Sequence, residues 1–253
     1  MNFLLKPIIL IRSVIATCLF PFTVVVLGPL SILFHYLFRS KKVDDSIIQC
    51  WGKVCCLMSG VWVEVKGLEN IPVEGCLFLF NHSSFFDVFA IAGYVRGVRF
   101  GAKSELFSIP IFGHAMKALG TLPIVRQRKE EVFKIYEEAK TRFQNNEKFA
   151  LAPEGGRFYG PKLSNFKAGP FMFAMSAEAP LVPLVILGAH EVLPKGHIFF
   201  NTQHWIQKIE IQILPSISTK GYTLHSRHEL QKKVYDVMNP IWAHDYDRNS
   251  RDQ

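Results

Sequence analysis

The sequence lacks the features that indicate several common classes of protein. Its 253 residues contain five cysteines, an odd number, and the adjacent pair Cys55-Cys56 lacks the two-residue gap of a zinc knuckle or redox motif. Nine histidines occur without HExxH or a comparable ligand spacing, and no Walker or dinucleotide glycine pattern is present. We therefore expect free thiols in a reducing compartment, no metal site and no cofactor.

Charged residues are few, and their balance is positive. They make up 20 % of the chain against 49 % apolar residues, a composition that excludes intrinsic disorder. The formal charge of +8 calls for an anionic partner, which could be nucleic acid, a membrane surface or a phosphorylated substrate. The 22 phenylalanines and a mean hydropathy of +0.17 disfavour a soluble nucleic-acid binder, so we expect no nucleic-acid partner.

One long segment, from Ser13 to Phe38, has no Asp, Glu, Lys or Arg, and it is long enough to span a bilayer. Gly28-Pro29 interrupts it, because proline removes a helical donor and clashes one turn back. Two shorter helices forming a hairpin are therefore predicted. The basic residues on its two flanks would then lie on the same, cytoplasmic side. These residues are Lys6, Arg12, Arg39, Lys41 and Lys42.

The second arm of this hairpin, from Leu30 to Arg39, would rise only ~15 Å, which is short of a ~30 Å hydrocarbon core. We therefore predict a membrane-immersed, non-spanning anchor over residues 1–42. A kinked single span is the main rival interpretation. A cleaved signal peptide is disfavoured, since no small-x-small cleavage site follows the apolar stretch.

Residues 43–253 have the pattern of one α/β domain, in which strands and helices alternate. Short apolar or alternating runs predict five to seven strands, and Glu131 to Phe143 has helical spacing. A C-terminal helix is predicted from Tyr222 to Met238, stopped by Pro240. The expected fold is a central, mainly parallel or mixed sheet flanked by helices. The clearest strand runs are Val61 to Val65, Cys76 to Phe80, Phe149 to Ala152, Val182 to Leu187 and Ile209 to Ile213.

His82 and Asp87 form the first candidate catalytic pair, directly after the apolar strand that ends at Phe80. Residues five apart on a regular helix point ~140° away from each other, so the pair can meet only if His82 lies on a strand-to-helix turn. A carboxylate bonded to one imidazole nitrogen makes the other nitrogen a competent base for a hydroxyl proton.

Two other interpretations of this segment remain open. Ser84-Phe85-Phe86-Asp87 matches the S-x-x-D capping box, in which Asp87 would only bind the N-cap amide. In the second, Ser83 or Ser84 would act as a nucleophile with His82, although neighbouring positions on one turn seldom align a hydroxyl with its base.

Three cations each follow a predicted strand end: Lys103, Arg126 and Arg157. Strand ends of one open sheet converge on the same edge, which is where such folds bind ligands. The segment Pro153-Glu154-Gly155-Gly156-Arg157 adds two glycines whose exposed amides suit a phosphate. Each cation taken alone is more commonly a solvated surface charge, but the three together favour an anion site.

Four motifs in these segments resemble those of the glycerolipid acyltransferase family, and within it the bacterial acylglycerol-phosphate acyltransferases. They are Asn-His-x4-Asp, Gly-x-x-x-Ile-x-Arg, Pro-Glu-Gly-Thr-Arg and Val-Pro-Leu-Val-Ile, in the family's order. Gly156 stands where the third motif has threonine. The matching residues are Asn81, His82 and Asp87; Gly120, Ile124 and Arg126; Pro153, Glu154, Gly155 and Arg157; and Val182 to Ile186.

The resemblance implies an enzyme that moves a fatty acyl group from an acyl-CoA or acyl-carrier-protein thioester to lysophosphatidate, with no other cofactor. His82, oriented by Asp87, would remove the hydroxyl proton, while Lys103, Arg126 and Arg157 would hold the phosphate. Glu154 and the amides of Gly155 and Gly156 would shape the head-group site. The enzyme would sit on the cytoplasmic face of the cell membrane.

Two competing functions are kept in view at this point. One is acyl transfer to another lysolipid, such as a lyso-aminolipid or lysophospholipid. The other is a non-enzymatic protein whose basic face binds an anionic membrane. Neither the oligomeric state nor the acyl-chain preference follows from the sequence.

Overall fold

A computed structural model of the chain describes residues 5–124 and 129–251. Within those ranges strands and helices alternate, and the predicted α/β class with a central sheet flanked by helices is confirmed. The helices are α1 (Leu5–Phe38), α2 (Lys41–Met58), α3 (Phe86–Tyr94), α4 (Phe112–Ala118), α5 (Lys129–Gln144), α6 (Ala168–Ser176), α7 (Ala189–Val192) and α8 (Arg227–Arg251). The strands are β1 (Val61–Lys66), β2 (Leu77–Phe80), β3 (Val98–Lys103), β4 (Leu122–Ile124), β5 (Lys148–Leu151), β6 (Leu181–Leu187) and β7 (Gln207–Ile213).

The chain divides into two compact units, and both are discontinuous in sequence. The first comprises the chain up to Glu64 together with Ser84–Ile124 and Gly188–Glu210. The second comprises Val65–Ser83, Val125–Leu187 and the chain from Ile211 onward. The predicted division at residue 42 into an anchor and a catalytic domain stays a prediction.

In the first unit, α1 is one continuous helix, so the helix break predicted at Gly28-Pro29 is wrong. The hydroxyls of Thr23 and Ser31 donate to the carbonyls of Phe20 and Gly28, 2.7 and 2.6 Å away, next to Pro21 and Pro29 in the interior of the helix. A proline inside a helix removes one backbone hydrogen bond, but the helix can continue beyond it when neighbouring groups support the turn. The turn between two helices comes ten residues later.

That turn lies at Arg39 and Ser40, between α1 and α2. Arg39 adopts a positive φ of 44°, and its N–H donates to the carbonyl of His35, 2.9 Å away. The imidazole Nδ1 of His35 also lies 3.1 Å from the carboxylate of Asp44, which is buried. Helices α1 and α2 therefore form a pair, joined by a side-chain bond across the turn.

Gly28 is needed for packing rather than for a turn. A Cβ built on Gly28 would lie 2.5 Å from Cγ2 of Ile111, which precedes α4. Ile111 itself has a φ of 65°, a strained value for a β-branched residue. The close approach of α1 to this segment therefore requires a residue without a side chain at position 28.

Gly28→Ala is expected to destabilise the protein, although alanine normally stabilises a helix interior by about 1 kcal/mol relative to glycine. Forcing the new methyl group against Ile111 should cost about 1–3 kcal/mol. Thermal unfolding in detergent would measure the difference. Gly156→Ala is the matched control, since a Cβ at Gly156 would meet nothing within 4 Å; equal melting temperatures for the two variants would contradict this packing role.

Helices α2 and α3 also cross through glycines. A Cβ on Gly52 would lie 2.4 Å from the backbone nitrogen of Gly93, and one on Gly93 would lie 2.9 Å from that of Lys53. Helix α3 is consequently almost completely buried, with seven of its nine residues inaccessible. Its first turn is thus held rigidly in the first unit.

His190, on α7, is buried in the first unit, and burial lowers its pKa to about 4. In the unfolded chain His190 takes up a proton near pH 6.5, whereas in the folded chain it does so only near pH 4. Stability is therefore lost as the pH falls from about 6.5 toward 4. Between pH 7 and pH 5 the free energy of unfolding of the wild type should fall by about 2 kcal/mol more than that of His190→Phe. Denaturant unfolding at both pH values would measure this, and equal losses would show that His190 is not the cause.

In the second unit, β2 lies between β6 and β5 and is parallel to both. Leu77 is level with Leu181 on one side and with Phe149 on the other. All residues of β2 and β6 are buried, as expected for strands covered on both faces. Parallel pairing brings the carboxyl ends of these strands to one edge of the sheet.

Helix α8 extends to Arg251, so the predicted stop at Pro240 is wrong. The helix continues through Pro240 because its neighbouring residues are fixed by tertiary contacts. Asn239 accepts a hydrogen bond from the backbone of Leu163, and Trp242 is fully buried. The burial of this apolar and hydrogen-bonding face outweighs the loss of one backbone bond.

Candidate active site

Asn81 fixes the point where β2 ends in the second unit. Its side-chain amide donates to the carbonyl of Ile186, 2.9 Å away, and its Oδ1 accepts from the N–H of Ile186 at 2.7 Å. This buried side chain therefore imitates a peptide group and prolongs the pairing of β2 with β6 by one step. The next residue, His82, leaves the sheet at a defined position.

The backbone of His82 is held on both sides. Its N–H donates to Oε1 of Glu154 at 2.9 Å, and its carbonyl accepts from the N–H of Phe158 at 2.8 Å. The imidazole is half-buried and packs edge-on against Phe80, with the ring centres 5.7 Å apart. The ring therefore rests on a rigid turn at the carboxyl end of β2.

Glu154 joins two loops of the second unit rather than facing solvent. It is buried, and its second oxygen, Oε2, accepts from the N–H of Ser164 at 2.9 Å. Because β5 is the parallel neighbour of β2, the loop that follows β5 begins beside His82. The carboxylate thus secures the His82 turn to the segment that carries Gly155, Gly156 and Arg157.

The Gly-Gly segment has the conformation that its composition predicts. Gly155 has a φ of +74°, and a Cβ there would lie 3.4 Å from Cγ of Lys167, whose stem packs over the glycine. The backbone N–H of Lys167 also donates to the carbonyl of Pro153 at 2.7 Å. Gly156 and Arg157 are exposed. The structure therefore brings His82, Glu154, Gly155, Gly156 and Arg157 together in one unit.

The rest of this loop is anchored by side chains of α8. The carbonyl of Phe166 accepts from Gln231 at 3.0 Å, and that of Gly160 accepts from the indole of Trp242 at 2.9 Å. Leu163 is held twice, its N–H by Asn239 at 2.9 Å and its carbonyl by the hydroxyl of Tyr235 at 3.1 Å. These four helix positions, spaced four, four and three apart, lie on one face of α8.

In the first unit, Asp87 forms the capping box that its sequence allows. Its Oδ2 accepts from the backbone N–H of Ser84 at 2.8 Å, while the hydroxyl of Ser84 accepts from the N–H of Phe86 at 3.2 Å. The carboxylate is completely buried at the start of α3. Capping uses one carboxylate oxygen, so the structural and catalytic interpretations of Asp87 are compatible.

Ser84 is engaged in contacts within the first unit. Its side chain is fully buried, and the hydroxyl also donates to the carbonyl of Leu193 at 3.1 Å. Ser83 is buried as well, with 2 % of its surface exposed. The burial of both hydroxyls disfavours the interpretation of either serine as a nucleophile.

Lys103 ends β3 in the first unit, and its side chain is exposed. Strand β3 pairs with β4 in parallel, and Lys103 is level with Ile124. Arg126, two residues further on, lies outside the described residues. Of the three predicted cations, the structure therefore describes Lys103 in one unit and Arg157 in the other.

The sequence did not predict the contacts that three groups of residues make at this site. Asn81 matched a motif, but nothing in its pattern indicated a bond to β6. Lys167 lies ten residues beyond Arg157, and its position over Gly155 depends on the path of the loop. The α8 residues have helical spacing with polar and aromatic side chains, a signal that periodicity alone cannot separate from an ordinary surface helix.

The sequence profile of the family described as acyltransferase matches residues 62–187, which include every motif described above. The chain belongs to the acyltransferase family. The match begins at β1 and ends with β6, so it covers both the His82 turn and the loop that carries Arg157.

Individual relatives extend the likeness beyond that region. A chloroplastic 1-acyl-sn-glycerol-3-phosphate acyltransferase of Brassica napus is 28% identical over 158 residues, which are 62% of this chain and 46% of that protein. The match thus spans less than half of the plant protein's length. A 1-acyl-sn-glycerol-3-phosphate acyltransferase of Pseudomonas aeruginosa is 26% identical over 88% of this chain and 87% of its own.

A solved structure shares the fold over nearly the whole chain. The crystal structure of the 1-acyl-sn-glycerophosphate acyltransferase PlsC from Thermotoga maritima superimposes with a TM-score of 0.76 at 27% sequence identity. The superposition covers 95% of this chain and 97% of the other. The N-terminal helices and the C-terminal helix are therefore part of the shared architecture.

Proposed function

We propose that the protein transfers a fatty acyl group from an acyl-CoA or acyl-carrier-protein thioester to the free hydroxyl of 1-acylglycerol-3-phosphate, giving phosphatidic acid. The observation that carries the proposal is the attachment of the His82 turn to the Arg157 loop through Glu154. Acyl transfer to a phosphate-bearing alcohol requires a base and a phosphate-binding cation held at a fixed distance from each other. In this proposal His82 is the base, Arg157 is the cation, and Glu154 joins the two loops that carry them. The relatives named for this activity support the assignment.

In the proposed mechanism, His82 accepts the proton of the acceptor hydroxyl as its oxygen attacks the thioester carbonyl. A new C–O bond forms, the C–S bond breaks, and the proton passes to the departing thiolate. Asp87 would stabilise the imidazolium that forms in between. Base catalysis of this kind contributes on the order of 10²–10⁴ in rate.

Lys103, Arg126 and Arg157 would bind the phosphate of the acceptor. Arginine suits this task because its guanidinium donates two parallel hydrogen bonds to phosphate oxygens. The backbone amides of Gly155 and Gly156 would supply further donors. Glu154 has a positioning role in this scheme, since both of its oxygens accept from backbone amides.

The enzyme would act at the membrane, with α1 as its anchor. Helix α1 contains an 18-residue window of mean hydropathy 2.2, of which 17% is buried, so by length and composition it could cross a bilayer. We propose instead that the anchor is immersed without spanning and that the protein lies on the cytoplasmic face. Reporters fused before Met1 and after Lys42 should then report the same side; opposite sides would establish a spanning helix.

A second candidate is acyl transfer to a lysolipid with a different head group. The observation that favours it is the space at Gly156, where a Cβ would meet nothing within 4 Å. The threonine of the related motif would occupy part of that space, so this chain has more room beside Arg157. A lyso-aminolipid has no phosphate and would not need the phosphate cations, whereas another lysophospholipid carries a phosphate with a further head group attached.

A panel of lysolipids, assayed with both acyl-CoA and acyl-carrier-protein donors, tests the proposal and ranks the two candidates. Lysophosphatidate should be the best acceptor, and activity should disappear in His82→Ala. Preference for a lyso-aminolipid or for another lysophospholipid would favour the second candidate. If no acceptor supports thioester turnover that depends on His82, the remaining interpretation is a non-enzymatic membrane-binding protein.

A further inference from the structure

The first unit holds an exposed apolar loop, Pro194–Ile206, tied to α1. Four large apolar side chains of this loop are exposed to between 43% and 71% of their surface, which is unusual for a water-facing loop. Lys195 and His197 in the same loop are also exposed. The four apolar residues are Ile198 (71%), Phe199 (43%), Trp205 (49%) and Ile206 (64%).

One face of α1 binds the backbone of this loop. The guanidinium of Arg12 donates to the carbonyls of Asn201 and His204, at 2.8 and 2.9 Å, and to that of Trp205. It also lies 5.3 Å from the centre of the Trp205 ring. Arg12, at the N-terminal edge of the apolar run, therefore binds groups of the protein itself.

Two hydroxyls on the same face of α1 complete the attachment. Ser13 donates to the carbonyl of Phe200, and the hydroxyl of Thr17 accepts from the N–H of Phe200 at 3.1 Å. The ring of Phe200 packs against Phe20, with ring centres 5.7 Å apart. The loop is thus fixed to the N-terminal half of α1 by polar and apolar contacts together.

The remaining faces of this half of α1 carry exposed apolar side chains. Ile8, Ile11, Ile15, Leu19 and Phe22 are exposed to between 45% and 63% of their surface. Water-soluble proteins rarely leave so much contiguous apolar surface uncovered. Because the loop is attached to this helix, its apolar residues and those of α1 belong to one structural element, which we call the loop–helix surface (residues 8–22 and 194–206).

We propose that the loop–helix surface is a membrane-docking surface, in which the Pro194–Ile206 loop inserts into the bilayer interface as a second anchor beside α1. The composition fits a lipid partner: apolar and aromatic residues with a tryptophan, bordered by Lys195, are typical of segments at the headgroup boundary. Continuity with the apolar helix identifies lipid as the occupant. The proposal adds to the proposed membrane anchor, and it can be tested without acyl transfer.

The test places an environment-sensitive fluorophore on Ile198→Cys, after Cys18 and Cys50, the exposed thiols, are replaced by serine. The full chain is reconstituted in vesicles of zwitterionic and anionic phospholipid. We expect emission to shift to shorter wavelength, to be quenched by brominated acyl chains and to become protected from aqueous iodide. The matched control is the same label on Val73→Cys, an exposed position of the other unit at 85%, which should stay accessible to iodide.

A second variant tests the link to α1. Arg12→Gln removes donors to three loop carbonyls, and it should reduce bromolipid quenching at residue 198 while a label on Ile15→Cys remains quenched. A label at residue 198 that stays accessible to iodide in vesicles would overturn the proposal. Protection from both quenchers would also overturn it, because a protein would then cover the loop. Loss of acyl transfer without any change in quenching would concern only the proposed function.

Discussion

Replacing His82 with alanine is expected to abolish acyl transfer while the protein stays folded. The imidazole packs edge-on against Phe80, and two backbone hydrogen bonds of this residue, with Glu154 and Phe158, survive the substitution. The loss in kcat should be at least on the order of 10²–10⁴, the usual contribution of a general base. Steady-state rates of thioester consumption, with thermal unfolding as a check on folding, would measure it.

Asp87→Asn should also lower kcat by orders of magnitude, for a different reason. The amide oxygen of asparagine can still accept the bond from the Ser84 N–H, so the start of α3 is preserved. The negative charge that would stabilise a protonated imidazole is lost. Asp87→Asn therefore separates capping from catalysis. Wild-type kcat in either His82→Ala or Asp87→Asn would contradict the mechanism, and a fall in melting temperature with unchanged kcat would leave Asp87 with the capping role alone.

Arg157→Ala is expected to raise the KM for lysophosphatidate about tenfold to a hundredfold, because the variant loses a charge-assisted hydrogen bond to phosphate. Arg157→Lys should still weaken binding although charge is kept, because lysine cannot form two parallel bonds, but the effect should be smaller than that of Arg157→Ala. The donor KM should change little in both variants. Titrations with a fluorescent acceptor and steady-state kinetics on the same preparations would determine these values.

The matched control for Arg157 is Arg248→Lys, at an exposed arginine of the same unit that pairs with Asp245 on α8. It should leave both KM values unchanged. Equal losses for phosphate-bearing and phosphate-free acceptors in Arg157→Ala would show that Arg157 supports the loop rather than the phosphate.

The sequence predicted the sheet well because buried parallel strands have a strong local signal. The runs that become β2, β5 and β6 are short and apolar, and the structure places them within one or two residues of the predicted limits. His82 and Glu154 come shortly after the ends of β2 and β5. Their convergence could therefore be predicted from the general rule that parallel strands end at one edge.

Where prediction failed, a long-range contact outweighed a local signal. Gly28-Pro29 and Pro240 both indicate helix ends, yet both lie inside helices whose flanking residues are fixed by distant parts of the chain. Ile111 and Leu163 are those partners, and neither is close in sequence to the proline concerned. The positioning role of Glu154 could likewise not be predicted from the sequence. Its carboxylate accepts from backbone N–H groups, which nearly every residue type supplies.

The attachment of the Arg157 loop to α8 has a consequence for how this part of the chain can vary. Gln231, Tyr235, Asn239 and Trp242 form hydrogen bonds with backbone groups of residues 160–166, and the rings of Tyr235 and Trp242 also pack against Phe166 and Tyr159. The loop can therefore accept substitutions at its exposed positions, such as Pro161, Lys162 and Asn165, without losing this support, while each of the four helix positions is constrained. Sequence drift in the loop would alter the surface beside the proposed head-group site and leave the anchorage of the loop intact, so under the proposed function new acceptor preferences can arise there by single substitutions.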